Sequence, residues 1–238
     1  MKISPIKTRV FKENEDLFQF IFEYVKNLKE NSVLVVTSKI VALSEGRTVE
    51  LKDSNEKDKL IKAESDFALK TKDVWLTIKD GMVLANAGID ESNAKGKIIL
   101  LPKDSWEIAE VLRKKLIQKF KLKNLGVLIT DSRLMPLRAG AVGIALGYAG
   151  FMGVKNYIGK KDIFGRVLKM SRTDIADSLA TSAVLCMGEG KEQQPLALIE
   201  NVPAQFVEKI NKKELLIDPK DDLYLPLFEN IKKIKFKK

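Results

Sequence analysis

Histidine is absent from this chain of 238 residues, and cysteine occurs once, at Cys186. The first absence removes Ser-His-Asp and Cys-His catalysis. The second leaves no disulfide framework, and the two together leave no set of four Cys and His ligands, so a zinc site is not expected. The chemical inventory is carboxylates, Lys, Arg, hydroxyls and a hard metal ion. No apolar run approaches bilayer-spanning length, and the opening MKISPIKTRV has no apolar signal core, which leads to the expectation of a cytoplasmic protein with no membrane partner. The familiar phosphate signatures are missing as well. There is no G-x-x-x-x-G-K-[ST], and the glycines at 140, 143, 147, 150 and 153 have the wrong spacing for a strand-borne G-x-G-x-x-G. No repeat or low-complexity segment marks a linker.

What is present suits one large domain or two small ones, since 45% of the residues are hydrophobic. The net charge of +10 invites a nucleic-acid reading. Its distribution argues otherwise, because the lysines are interleaved with Glu and Asp, and the aromatics fall in apolar helical patterns rather than forming a stacking platform. The basic runs Arg113 to Lys123 and Lys232 to Lys238 read as solvated helix faces or ends. Such a surface favours a small anionic substrate, and no nucleic-acid partner is expected.

Along the chain, Lys7 to Lys12 reads as an extended arm and Asp16 to Glu30 as an amphipathic helix, with Leu17, Phe20, Ile21, Tyr24, Val25 and Leu28 on one face. Val33 to Thr37 is a β-branched buried strand, stopped by Ser38, an N-cap for a short element through Ser44. Leu51 to Lys72 reads as one exposed helix begun at Ser54. Val74 to Ile78 and Met82 to Ala85 flank Asp80-Gly81, a tight-hairpin signal. The polar loop Asn86 to Asn93 suits a ligand, and equally an ordinary turn. Ile98 to Leu101 reads as a strand, followed by a capping box at Asp104 to Glu107 that opens a helix to about Lys121. A strand begins at Leu125. Ser171 with Asp174 begins a further helix with Ile175, Leu179, Ala183 and Cys186 or Met187 inward, and Pro195 to Glu200 is the last clear strand. Beyond it the pattern weakens to short helical pieces. The strands are too unevenly spaced for a regular βαβ series, so the fold class is α+β, mixed sheets with flanking helices.

The chain is organised around Gly126 to Arg166. There an apolar run delivers Asp131 and Ser132 to a strand end, and seven of the fourteen glycines fall between Gly126 and Gly159. So many glycines imply close backbone approach, read here as approach to phosphate and metal.

Several segments, in order and spacing, resemble the γ-glutamyl ligases of the deazaflavin coenzyme F-420. They are Val35 to Val41 with Glu45-Gly-Arg47, Asn86 to Asn93, Ile129 to Ser132, Arg138 to Gly140, Gly143 to Gly147, Tyr157 to Arg166, and Met187 to Gly190. The resemblance spans roughly residues 5 to 200. It implies a γ-glutamyl ligase-like catalytic domain over 1–200, with 201–238 as a helical and basic tail packed on it, and a homodimer. It also implies GTP or ATP as co-substrate, with magnesium or manganese and potassium as a further cation, for coupling glutamate to a carboxylate acceptor through an acyl phosphate. Carried over by position, Asp90, Asp131, Ser132 and Glu189 are the metal positions. Ser38, Asn93, Met187, Gly188 and Gly190 are nucleotide contacts. Arg138, Lys160, Lys161, Asp162 and Arg166 are substrate or phosphate clamps, or else surface ion pairs. Three carboxylates and a hydroxyl make an all-oxygen set suited to a hard cation, which agrees with the resemblance.

Two departures from the family carry expectations of their own. Leu43 stands where relatives have a lysine that holds the nucleotide, which predicts weaker discrimination for GTP. Met135 stands where relatives have an arginine, which predicts a changed acceptor, a glutamyl chain or folate-like tail. The alternative function is a non-catalytic nucleotide-binding protein of the same fold with an anionic partner.

Overall fold

The structure is a computed structural model that describes residues 1–51 and 53–228. The basic run expected at 232–238 lies outside the described residues. A five-stranded sheet forms from β1 (Lys2–Ile6), β2 (Ser32–Thr37), β8 (Leu125–Leu134), β9 (Ala141–Ala149) and β12 (Leu196–Glu200), in the spatial order β1-β12-β2-β8-β9. β2 and β8 run parallel, and the other neighbours are antiparallel.

Both faces of this sheet are buried, and the two-residue period of the strands divides their side chains between two cores. Leu34 and Val36 of β2 and Leu125, Val127 and Ile129 of β8 pack under α1 (Leu17–Tyr24), α2 (Ser38–Ser44) and α4 (Ser105–Phe120). Val33, Val35 and Leu128 face α5 (Ile175–Met187) and the chain beyond β12. Each such residue contributes roughly 1.5–3 kcal/mol by leaving water.

Between α2 and α4 the chain builds an insert. Its neck is β3 (Thr48–Val49) paired with β7 (Ile98–Ile99), and its body is α3 (Ser54–Ala63) over the meander β4 (Phe67–Lys70), β5 (Trp75–Lys79) and β6 (Met82–Ala85). Asp80 and Gly81 take φ of +51° and +77°, as the Asp-Gly turn predicts. Ile61, Trp75, Ile89, Ile98 and Leu100 form its own core. Arg47 ties it down by donating to the Leu101 carbonyl at 3.1 Å and to Glu64 at 2.8 Å.

Several local expectations are corrected. The arm at Lys7 to Lys12 is irregular, and the strand precedes it. α1 ends at Tyr24 rather than Glu30, because Val25 is already extended at ψ 96° while its N–H closes on Ile21. The helix after Asp53 ends at Ala63 and gives way to β4. Ser38 is the buried first residue of α2, and the N-cap position belongs to Thr37, which makes no side-chain capping bond. β8 runs on to Leu134, so Asp131 and Ser132 lie within a strand and not at its end.

Five glycines of the central stretch, Gly126, Gly143, Gly147, Gly150 and Gly153, serve packing, while Gly140 and Gly159 face open space. A Cβ on Gly143 would stand 2.5 Å from the Ala180 carbonyl oxygen on α5, and one on Gly147 2.5 Å from the Ser105 carbonyl carbon on α4. They let two helices sit directly on β9, and no glycine between 126 and 159 lines the site cavity.

After β9 the chain forms the pair β10 (Val154–Asn156) and β11 (Arg172–Asp174), enters α5 with Asp174 as N-cap, and passes β12. Met187, not Cys186, is the buried residue at the end of α5. Residues past 201 return across the sheet: Phe206 bridges Phe151, and the Val207 amide donates to the Gly150 carbonyl at 3.1 Å. The last described element is α6 (Leu225–Phe228). Among the described residues, no helix is long and apolar enough to cross a membrane.

Candidate active site

Because β2 and β8 are parallel and in register from Ser32↔Leu125 to Thr37↔Thr130, the residues after Thr37 and those after Thr130 emerge at the same edge of the sheet. Ser38 and Lys39 open α2 there, beside Asp131 and Ser132. The insert brings Asp90 to Asn93 across from them, and the C-terminal end of α5 brings Met187 to Gln194. Together with Thr8 to Phe11 and Leu43 these segments line a cavity of about 450 Å³.

Of the residues singled out in the sequence, Ser38, Asp90, Asn93, Asp131, Ser132, Met187, Gly188, Glu189 and Gly190 all line this one cavity. Arg138, Lys161 and Arg166 do not. They are exposed, with Arg138 in the β8–β9 turn and the other two in the loop between β10 and β11. Met135 is half-buried in the same turn as Arg138, and also outside the cavity. Arg133 turns the other way, 3.4 Å from Asp177 on α5.

The three acidic groups sit in different fields. Burial pushes the Asp131 carboxyl up to about 7; the Ser132 amide, donating at 2.8 Å, opposes this, while the charge of Asp90 adds to it. Burial acts upward on Asp90 as well, but the Lys39 ammonium at 2.6 Å and the bonds from Ser92 outweigh it and hold Asp90 below the usual carboxylate range. Burial raises Glu189, against the attraction of Lys39 and with the repulsion of Asp90.

The loop after α5 is shaped by glycine. Gly188, at φ +82°, ends the helix, and its N–H still donates to Val184 at 2.9 Å. Glu192 folds back so that the Gly190 N–H donates to its Oε2 at 2.8 Å. The Asn93 amide donates to the Gly190 carbonyl at 3.3 Å and joins the two walls of the cavity.

Sequence reasoning missed Lys39. The available signal was a cation one residue past a buried strand, on the first turn of a helix, where a positive charge does not help the helix itself. It also missed Thr130, whose buried Oγ1 lines the same cavity wall without a partner.

Among the described residues, no three acidic side chains stand close enough to form a metal cluster by themselves. The chemistry of the donor set nevertheless fits a hard divalent cation. Asp131, Glu189 and Asp90 carry oxygen donors that repel one another, and Asp131, half-buried in the cavity wall, has too little positive charge around it.

The model of the F420-0:Gamma-glutamyl ligase family matches residues 5–201. Among curated proteins, the chain is 33% identical over 244 residues to the Coenzyme F420:L-glutamate ligase of Methanococcus maripaludis strain C7, covering 94% of this chain and 97% of that protein. It is 33% identical over 242 residues to the protein of the same name from Methanocaldococcus jannaschii, covering 93% and 95%. It is 31% identical over 211 residues to the one from Archaeoglobus fulgidus, covering 81% and 84%.

Proposed function

The chain belongs to the F420-0:gamma-glutamyl ligase family, and on that premise we propose that it is an ATP- or GTP-dependent ligase joining L-glutamate to a carboxylate acceptor through an acyl phosphate. The observation that carries this reading is the convergence of Asp90, Asp131 and Glu189, from three separate segments, with Lys39 in one cavity. A non-catalytic nucleotide binder has no need of three carboxylates facing an anion. We take residues 1–200 as the catalytic unit, with 201–238 as its tail.

In the proposed reaction, an acceptor carboxylate oxygen attacks the γ-phosphorus, and the nucleoside diphosphate leaves. The amine of glutamate then attacks the acyl carbon, releases inorganic phosphate and loses a proton to solvent. Positioning and charge neutralisation supply most of the rate, which a site without histidine can provide. Asp90, Asp131, Glu189 and the Ser132 hydroxyl would hold magnesium or manganese, which supplies charge neutralisation at the phosphates. Ser38, Asn93 and the Met187 to Gln194 loop would hold the nucleotide, with Lys39 as the cation nearest its phosphates.

The curated relatives are named for coenzyme F420 as well as for L-glutamate, and this acceptor is the first reading. A glutamyl chain is the second reading; it rests on Met135 in place of an arginine, in the same turn as Arg138 outside the cavity, and so bears on the acceptor only in the context of an assembly. Incubating the protein with the deazaflavin precursor, glutamate, GTP or ATP, and manganese separates them: glutamylated deazaflavin supports the first, and phosphate release with glutamate alone the second. No product and no phosphate with either sinks the ligase reading.

We also infer a homodimer. Leu137, Ile163, Phe164 and Met170 are 104%, 92%, 90% and 87% exposed, apolar side chains that a second copy would cover. Arg138, Lys161 and Arg166 lie in the same segments, so their role as substrate clamps is proposed in the context of that assembly.

A further inference from the structure

Both lone pairs of Asp90 Oδ2 are taken, one of them by Lys39. The Oδ1 atom accepts from the Ser92 amide at 2.6 Å. The Oδ2 atom accepts from the Ser92 hydroxyl at 3.0 Å and from the Lys39 ammonium at 2.6 Å. A carboxylate oxygen offers two lone pairs, so Oδ2 has none left for a metal ion. Lys39 is equally complete. Its three N–H donors meet Asp90 Oδ2, the Ser92 carbonyl at 2.9 Å and the Ser92 Oγ at 2.9 Å.

This ammonium also acts on the other carboxylates of the cavity, drawing both Asp131 and Glu189 toward their charged forms. One monovalent cation thus acts on all three carboxylates in the direction a divalent ion would, while leaving Asp131 and Glu189 raised. The two cannot share the inner contact of Asp90 Oδ2, since like charges at such range repel strongly. The lysine stem makes exchange feasible. It starts from the first turn of α2, is 23% exposed, and ends in a compact charge with three rotatable donors that can change partner without a fixed fork geometry.

We propose that Lys39 is an exchangeable counter-ion: a divalent cation arriving at Asp90 displaces its ammonium, which turns to the terminal phosphates of the nucleotide, so that metal and nucleotide bind interdependently through this one side chain. The proposal rests on the metal- and nucleotide-dependent reading given above, and adds to it the residue that couples the two ligands. By linkage the coupling is reciprocal: manganese tightens the nucleotide by the factor by which the nucleotide tightens manganese.

The test is manganese binding to the full chain without nucleotide, followed by the paramagnetic resonance of the free ion, in wild type, Lys39→Met and Lys57→Met. Lys57 is the control because it pairs with the neighbouring Glu91 at 2.9 Å and not with Asp90. Lys39→Met is expected to bind manganese at least about tenfold more tightly than wild type, and Lys57→Met within about twofold of it. Calorimetry with a non-hydrolysable triphosphate, with and without manganese, is expected to show the coupling factor about tenfold smaller in Lys39→Met. Ser92→Ala, which removes one acceptor from Lys39 and one donor from Oδ2 at an exposed position, should tighten manganese in the same direction and keeps the test open if Lys39→Met does not fold. Equal manganese affinity in wild type, Lys39→Met and Ser92→Ala overturns the exchange, as does equal tightening by Lys57→Met. Absence of manganese binding in wild type and variants alike overturns the metal reading, and the exchange with it.

Discussion

Asn93 donates its side-chain amide to the Gly190 carbonyl at 3.3 Å, the hydrogen bond that joins the insert to the loop after α5 over the cavity. It crosses from one wall to the other with no strand or helix to support it. Asn93→Ala is expected to raise the KM for nucleotide up to about tenfold, the worth of one net hydrogen bond, with kcat changed less. Steady-state kinetics with varied nucleotide checks this, and an unchanged KM removes Asn93 from the binding role.

Asp131 sets a dependence on pH. Its folded pKa of about 7 lies above the ordinary 3.8, so between those values the folded chain binds more protons than the unfolded one, and stability falls as pH rises. With chelator present, Asp131→Asn should melt higher than wild type at pH 8, and the gap should close toward pH 4. The same variant should lose metal-dependent turnover. Equal melting temperatures at pH 8 would show that the carboxyl carries no uncompensated desolvation.

Gly143 tests the packing role of the central glycines. Gly143→Ala places a methyl 2.5 Å from the Ala180 carbonyl oxygen, and about 1–3 kcal/mol of destabilisation in urea is expected. Nucleotide affinity of the folded fraction should be unchanged. A loss of affinity without a loss of stability would restore the phosphate-cradle reading.

Leu43 lies in the cavity wall and packs against the core under α2. Leu43→Lys can keep its stem on that surface and send its ammonium into the cavity. Stronger discrimination for GTP over ATP is expected in a competition assay, and a strict GTP preference in the wild type would contradict the weaker discrimination read from Leu43.

Phe164, 90% exposed, probes assembly. Light scattering of Phe164→Asp should show a larger monomer fraction than wild type at equal concentration, since a charge in an apolar contact has no partner. A wild type that is itself monomeric ends the dimer proposal.

Much of this architecture was legible in the sequence where one local signal acted alone. Asp104 capped α4 as its position predicts, with bonds to the Trp106 and Glu107 amides, and Asp80-Gly81 made its hairpin. The cavity residues were legible only through several short motifs taken together, since Asp90, Asp131 and Glu189 are far apart in the chain. The reading failed where a long-range contact decides. The glycines of β9 gave a signal for close approach but not for what approaches, and the answer, α4 and α5, lies elsewhere in the sequence. Lys39 looked like any surface lysine, because its meaning depends on the insert folding back to place Asp90 and Ser92 against it.

The parallel pairing of β2 with β8 encloses the entire insert as one excursion, gathered at its neck by β3 and β7. The entropy of closing such an excursion grows only with the logarithm of its length. Lengthening the connections of the insert therefore places little burden on the sheet, provided the neck, Asp90 to Asn93, and the packing of Leu84 and Leu101 on Ile144 and Leu146 of β9 are kept. The half of the cavity that carries Asp131 belongs to the framework, while the half that carries Asp90 hangs from a module that can change in size. Exchanging that module between homologous chains offers a way to alter what the cavity admits while Asp131 and Glu189 stay where they are.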